Sequence, residues 1–212
     1  LLLKRPDEVS SGLVQQLALV TGVRNRREEI AAVLEAAVHV KRSSWQRVIM
    51  LGLAAGLARH DIRWPALVPQ APAAVQKMLQ QLVKEAVQAA GDNKLTTSQR
   101  RQAIEFLGSA SFAVARPVLP QLLATQQPSD VQLAAARALS TFDEQGIAKI
   151  FVDHWASATP ALRGEMMNGI FRRTSRIKIL LAAIDGKAIR ATDVDSGYQE
   201  QLRTHPDQEI QD

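Results

Sequence analysis

The sequence contains no cysteine, and aromatic residues make up only 4% of its 212 residues. The absence of cysteine excludes disulfides, thiolate metal sites and cysteine nucleophiles. The scarcity of aromatic side chains leaves leucine, alanine, valine and isoleucine to form the core, and that mixture favours helices over strands. Because apolar residues amount to 46% of the chain, this core can be sizeable.

Long apolar runs are also missing. The longest one covers residues 48–58. As a helix it would extend about 16 Å, at about 1.5 Å per residue, which is half of the roughly 30 Å of a bilayer core. We therefore expect a buried helix and not a transmembrane one. Gly52 and Gly56 within this run are expected to let another helix approach closely.

Motifs of reaction chemistry are absent too, since the chain has no glycine-rich phosphate loop, no nucleophile elbow and no histidines spaced four apart. In "DVDSG", residues 193–197, the glycine is one position too early for a calcium loop, which indicates a turn. "HPD", residues 205–207, is similar to the J-domain tripeptide, but Asp207 is better explained as a helix cap. We expect no catalytic, cofactor or metal site in this chain.

What the sequence does contain is a repeated helical pattern. Ala103, Ala135 and Met166 occupy equivalent positions in apolar helical segments about thirty residues apart. Small polar residues and prolines separate these segments, and they are expected to cap the first helix of each copy through a side-chain oxygen. The expected capping residues are Ser98, Ser129 or Asp130, and Thr159.

This repetition predicts an all-α fold, a right-handed α-α superhelix (solenoid) of about five helical hairpins that forms a single domain over residues 1–212. One hairpin cannot bury both sides of its helices, whereas a stack of hairpins can. Pro117 and Pro120 are expected in the first turn of the second helix of the third hairpin. The predicted hairpins cover residues 8–40, 43–90, 97–124, 129–156 and 160–185, and residues 193–212 begin a further repeat.

Basic residues mark the candidate interaction surface. Repeat geometry places the second helices on the inner face of a solenoid, and these helices carry Lys77, Lys84, Lys149 and Lys178. The loop "FRRTSRIK", residues 171–178, adds Arg172, Arg173 and Arg176. With a net charge of +5, such clusters could contact phosphates, so a basic module that binds nucleic acid is the alternative function. A solvated charge cluster is the commoner explanation, and nucleic acid is therefore not the expected partner.

The repeat pattern resembles HEAT repeats in their short bacterial form, and this resemblance covers most of the chain. Two phrases are similar to a narrower group: "LLAAIDG" at residues 180–186 and "QLRTHPDQEI" at residues 201–210. They resemble the helical linker of large exported bacterial proteins, the membrane-bound dehydrogenase or haem-binding family. In that family a β-propeller precedes HEAT-like repeats, and a cytochrome c-like domain with a Cys-x-x-Cys-His motif follows them.

The resemblance implies a role without chemistry of its own. The chain would be a non-catalytic scaffold or linker and protein-interaction module, cut from a longer exported and redox-associated polypeptide. Its partners would be neighbouring domains of that polypeptide or another protein, and its location would be periplasmic or otherwise exported. Haem c would belong to the parent protein and lie outside this chain, which has no cysteine. No catalytic or haem-binding residue is carried over, while HEAT-like DNA glycosylases represent the nucleic-acid alternative.

Overall fold

The computed structural model describes residues 8–211, and its side chains from residue 11 onward. This part of the chain is built from α-helices and short 3-10 helices joined by turns, and it contains no β-strand. The all-α prediction is thereby confirmed. Residues 1–7 and Asp212, at the two ends of the predicted repeat region, lie outside the described residues. The chain divides into two compact units, with the boundary between Val118 and Leu119.

Unit 1 is arranged in two layers. The first helix of each hairpin contacts the first helix of the next, so that α1 packs against α3 and α3 against α5, while α2 packs against α4. Its α-helices are α1 (Glu8–Arg24), α2 (Arg27–Val38), α3 (Ser43–Leu57), α4 (Ala73–Gly91), α5 (Thr97–Ser109) and α6 (Phe112–Ala115), with 3-10 helices at Ala58–His60 and Trp64–Gln70.

Glycines bring α1 and α3 together. A Cβ atom added at Gly56 would overlap the carbonyl oxygen of Leu19 and come within 2.7 Å of the Gly22 Cα atom. A Cβ atom at Gly52 would overlap the carbonyl oxygen of Gln15. The two backbones therefore touch directly, and the predicted role of Gly52 and Gly56 as points of close helix approach is confirmed.

Unit 2 repeats the two-layer arrangement. Its first helices α7 and α9 contact each other, and in the other layer α8 contacts α10, which in turn contacts α12. Its helices are a 3-10 helix at Pro120–Leu123, then α7 (Ser129–Ser140), α8 (Gly146–Trp155), α9 (Pro160–Ile170) and α10 (Thr174–Asp185), a 3-10 helix at Ala191–Asp193, α11 (Ser196–Arg203) and α12 (Gln208–Gln211).

One side chain ties each later first helix to the segment before it. The fourth residue of α3, α5, α7, α9 and α11 is a glutamine or an arginine that donates hydrogen bonds to carbonyl oxygens around the end of the preceding helix. We call these the clasp residues. They are Gln46, bonded to Ala37 and Val40; Arg100, to Ala90; Gln132, to Leu123 and Ala124; Arg163, to Trp155; and Gln199, to Ala191 and Val194. The repeat is thus visible in hydrogen bonds as well as in packing, because helix ends leave carbonyls that need donors.

The third hairpin differs from its prediction. A second helix was expected to begin with Pro117 and Pro120 in its first turn, but α6 ends at Ala115 and only a 3-10 helix follows, at Pro120–Leu123. Proline has no N–H, so neither Pro117 nor Pro120 can donate a backbone hydrogen bond to a carbonyl of the preceding turn. Two prolines three residues apart therefore prevent one continuous second helix here.

The predicted helix caps are confirmed at α9, shifted at α5 and wrong at α7. Ser129 and Asp130 lie inside the first turn of α7, because the N-cap residue is Pro128, which provides no side-chain cap. The Oγ1 atom of Thr159 accepts a hydrogen bond from the backbone N–H of Leu162 at 3.3 Å, as expected for a cap of α9. At α5 the capping residue is Thr96 and not Ser98, since Thr96 and Gln99 form a reciprocal capping box. A threonine followed three residues later by glutamine satisfies two backbone N–H groups at once, which a cap at Ser98 would not.

Candidate functional site

The three predicted loop arginines are close in sequence, but the structure gives them different environments. Arg172 is exposed, and it forms no ion pair with any described residue. Arg173 is exposed and pairs with Asp143, with a distance of 2.6 Å from its Nε to the Asp143 Oδ1 atom. Arg176 is fully buried. Only Arg172 thus keeps a cation available to a ligand.

Arg176 belongs to the core of unit 2. Its Nη1 atom donates to the carbonyl oxygens of Gly169 at 2.8 Å and Ser140 at 3.5 Å, and its Nη2 atom donates to that of Phe142. Burial, followed by the charge of Arg173, lowers the pKa of Arg176. The side chain closes the carboxyl ends of α7 and α9 and contributes to no surface of the unit, which corrects the expectation that it forms part of an interaction surface.

The four predicted lysines all lie exposed on second helices. Lys77 and Lys84 are on α4 in unit 1, and Lys149 and Lys178 are on α8 and α10 in unit 2. Lys149 pairs with Asp153 at 3.2 Å in its own helix. Lys178 pairs with two acidic residues of the last turns, Asp207 at 3.2 Å and Glu209, and these hydrogen bonds raise the pKa of Lys178. Intramolecular partners thus already compensate the charges of Lys149 and Lys178.

A cleft of about 460 Å³ opens beside Arg172, between the carboxyl end of α9 and the amino end of α11. It lies entirely within unit 2. Its residues come from the last turn of α9, from the loop after it and from the first two turns of α11. The lining side chains combine one cation, one carboxylate, two amides and two aromatic rings. They are Asn168, Phe171, Arg172, Asp195, Tyr198 and Gln201, together with the backbone of Gly197.

Contacts on both sides hold Tyr198 in one wall of the cleft. Its hydroxyl donates a hydrogen bond to the Asn168 Oδ1 atom at 2.6 Å, and its ring packs on Phe171 with the ring centroids 4.6 Å apart. Burial, followed by the charges of Asp195 and Glu165, raises the pKa of Tyr198. The phenol therefore remains protonated at neutral pH and acts as a donor to the amide.

Asp195 lines the cleft at the start of α11. Its Oδ1 atom accepts a hydrogen bond from the backbone N–H of Gly197 at 2.9 Å, which caps the start of α11. The segment 193–197 is therefore a helix start that follows a 3-10 turn, in agreement with the prediction of a turn and not a calcium loop. With the Arg172 cation and the Asp195 carboxylate both present, the cleft carries almost no net charge and suits a polar ligand.

The "HPD" segment also has a structural role. The His205 Nδ1 atom accepts a hydrogen bond from the backbone N–H of Asp207 at 3.0 Å, and the Asp207 Oδ1 atom accepts one from that of Glu209 at 3.1 Å. Asp207 thus caps α12, as predicted. A hydrogen bond from Lys178 is the main reason why the pKa of Asp207 is lowered.

Except for Arg172, no residue of the cleft was predicted to form an interaction surface, although Asp195 and Gly197 belong to the segment 193–197 that was compared with a calcium loop. The available signal was the pair of aromatic residues Phe171 and Tyr198 in a chain with little aromatic content, one at the end of a helix and one near the start of another. The irregular segment 186–195 lies between α10 and α11, and its path, which decides whether the two rings meet, has no repeat pattern to predict it.

Comparison of the chain with protein-family models, with curated proteins and with solved structures gives no match. Within residues 8–211, no group of three or more histidine, aspartate or glutamate side chains is placed to hold a metal ion. None of the helices described combines the length and the apolar character needed to cross a bilayer.

Proposed function

We propose that this chain is a non-catalytic helical-repeat scaffold of the HEAT type that binds a protein partner. The observation that carries the proposal is the two-layer packing within each unit, in which every later first helix brings a clasp residue to the segment before it. Arrays of this kind bury their apolar helices by stacking copies and leave extended surfaces for other proteins.

The proposal includes the arrangement of the hairpins as one right-handed solenoid. Small-angle X-ray scattering of the whole chain tests this part. A single compact globule of 212 residues has a radius of gyration of about 17 Å. A solenoid is longer in one direction, so we expect a clearly larger value and a distance distribution with an extended tail. A measured radius near that of the globule would contradict the solenoid.

Protein binding is tested by selection of peptides from a displayed random library against the immobilised chain, followed by fluorescence anisotropy in solution. We expect a small set of related peptides that compete with one another for one region of the chain. A library without any saturable binder would contradict the proposed function. A measured hydrolase, glycosylase or redox turnover of the isolated chain would contradict its non-catalytic character.

The nucleic-acid alternative is tested by fluorescence anisotropy of labelled duplex DNA at low salt. Binding of phosphates releases counterions, so a true site would weaken steeply as salt is added. The predicted arginine cluster offers little uncompensated charge, because Arg173 is paired and Arg176 is buried. We therefore expect no saturable binding of duplex DNA at low salt, and such binding would favour the alternative function.

We propose in addition that the scaffold links domains of a larger exported, redox-associated protein. The support is the similarity of residues 180–186 and 201–210 to the linker of the membrane-bound dehydrogenase or haem-binding family. Extension of the reading frame in both directions tests it. A propeller-type sequence upstream and a Cys-x-x-Cys-His motif downstream are the expected result, and a reading frame with neither would remove this part of the proposal.

A further inference from the structure

We propose that the cleft between α9 and α11 receives an acidic side chain of the protein partner, with its carboxylate on Arg172. This inference rests on the proposed function, because it takes the ligand to be a polypeptide segment. It names the chemistry of one contact, a planar carboxylate of an aspartate or glutamate, and the residues that recognise it.

The first support is the state of Arg172. Its neighbour Arg173 pairs with Asp143, and Arg176 donates its hydrogen bonds to backbone carbonyls in the core. Arg172 is exposed beside the cleft and has no counterion among the described residues. A guanidinium group presents parallel N–H donors that match the two oxygens of a carboxylate, and such bidentate pairs are among the stronger protein hydrogen bonds.

The second support is the orientation of Asn168. Its Oδ1 atom is occupied by the Tyr198 hydroxyl, and the tyrosine ring is in turn packed on Phe171. A side-chain amide has one acceptor oxygen and one donor nitrogen, so fixing the oxygen leaves the NH₂ group as the free end. The cleft thus offers a second, oriented donor on the same wall as the aromatic pair, and Gln201 supplies a further amide in the next turn of α11.

The third observation concerns the choice among anions. Arg172 and Asp195 already bring the cleft close to zero net charge, so each negative charge on a ligand adds repulsion from the Asp195 carboxylate. A carboxylate with one charge fits this balance better than a phosphate group with nearly two. The Asp195 oxygen that does not cap α11 is left to accept a backbone N–H of the same segment.

The volume is consistent with one side chain and its adjoining backbone. At about 460 Å³ the cleft lies in the lower part of the range for pockets that hold small ligands, about 300–1,000 Å³. It is open to solvent along one side, so a chain can enter and leave without being threaded. A single recognised side chain in such an open site gives a weak contact, and the rest of the partner would add to it on other surfaces.

Tyr198 provides a direct readout, because it is the sole tyrosine among the 212 residues. The whole chain would be labelled with ring-¹³C tyrosine, so that one aromatic signal reports on the cleft. The probes would be N-acetylated, C-amidated pentapeptides with glycine at the outer positions and glutamate, glutamine or lysine in the centre, together with sodium acetate and inorganic phosphate as free ions.

We expect the glutamate peptide to shift the Tyr198 signal saturably, with an affinity at least about tenfold above that of the glutamine peptide, as the loss of an ion-paired hydrogen bond implies. The substitution Arg172→Gln should abolish the saturable shift. The matched control Arg173→Gln removes the same charge one residue away and should retain it. Circular dichroism of both variants would establish that each is folded.

Six results would overturn the inference in whole or in part, and the first four come from the titrations and the arginine variants. They are the absence of any saturable shift, an equal response to the glutamine peptide, tighter binding of phosphate than of the glutamate peptide, and an equal loss in both arginine variants. If peptides selected by display bind the chain without moving the Tyr198 signal, the inference about the cleft is wrong while the proposed function stands. If acetate alone binds as tightly as the peptide, the site recognises a free small carboxylate and the assignment to a protein segment is wrong.

Discussion

The contact between α1 and α3 in unit 1 and the contact between α7 and α9 in unit 2 join successive first helices in different ways. In unit 1, Gly22 and Gly56 bring backbone against backbone. In unit 2, Gly169 of α9 lies under the side chains of Ser140 and Phe151. A contact between two backbones contains no side chain that could change its rotamer to make room, whereas a contact lined by side chains can adjust in this way. The glycine seam should therefore tolerate added volume less well.

The substitution Gly56→Ala should have the largest effect. Its new methyl group would overlap the carbonyl oxygen of Leu19, so the two helices would have to separate. We expect a loss of about 3 kcal/mol in the free energy of unfolding, at the upper end of the usual cost of overpacking, measured by urea denaturation. Gly164 in α9 has open space around it, and Gly164→Ala should instead be neutral or stabilise by up to about 1 kcal/mol. Equal effects of the two changes would refute the glycine seam.

Replacement of the buried guanidinium should come next. Arg176→Met keeps the apolar volume but removes the guanidinium that donates to the carbonyl oxygens of Gly169 and Phe142, and we expect a loss of about 2–3 kcal/mol. The control is Arg173→Met, which removes only an exposed ion pair and should cost less than about 1 kcal/mol. A comparable loss in both variants would mean that the buried hydrogen bonds contribute little.

A buried alanine of α7 should respond more mildly. Ala135→Leu adds volume at a fully buried position, and we expect a loss of about 2 kcal/mol, within the range of about 1–3 kcal/mol for overpacked cores. Although leucine adds more atoms than the methyl group of Gly56→Ala, side chains can move aside here. A thermal melting curve unchanged by Ala135→Leu would count against the packing of α7, and a loss larger than that of Gly56→Ala would reverse the expected order of the two effects.

The smallest effect is expected at a clasp residue. Gln132 donates to the carbonyl oxygens of Leu123 and Ala124, so Gln132→Ala should cost about 1 kcal/mol, the net value of a typical intramolecular hydrogen bond. Because arginine fills the same position in α5 and α9, Gln132→Arg should stay within about 0.5 kcal/mol of the natural chain. A larger loss for arginine than for alanine would show that the position is not equivalent between repeats.

The regular helices could be predicted from the sequence because their apolar spacing and, at α9 and α12, their caps are local signals. Gly52 and Gly56 could be interpreted as points of close approach for the same reason: glycine leaves space wherever it lies on a packed face. The prediction of a continuous second helix in the third hairpin was wrong because the apolar spacing around Val118 and Leu122 was given more weight than the two prolines. The clasp residues carried a signal, their constant fourth position, that was not used.

The environment of each of the three loop arginines could not be predicted. Arg172, Arg173 and Arg176 share one loop and one composition, yet one is free, one is paired and one is buried. Which of these applies depends on the direction of each side chain relative to α7, α9 and α11, and this is set by tertiary packing and not by spacing. The cleft was missed for a related reason, since it needs residues from both sides of an irregular segment.

The clasp has a consequence for how such a chain can grow. Each copy carries at its own fourth position the donor that closes the helix end before it, and it leaves carbonyls at its own end for the copy that follows. A duplicated stretch of about thirty codons would therefore bring the donor for the helix end before it and the carbonyl acceptors for the copy after it. Lengthening of the protein in this way requires no compensating mutation at either border.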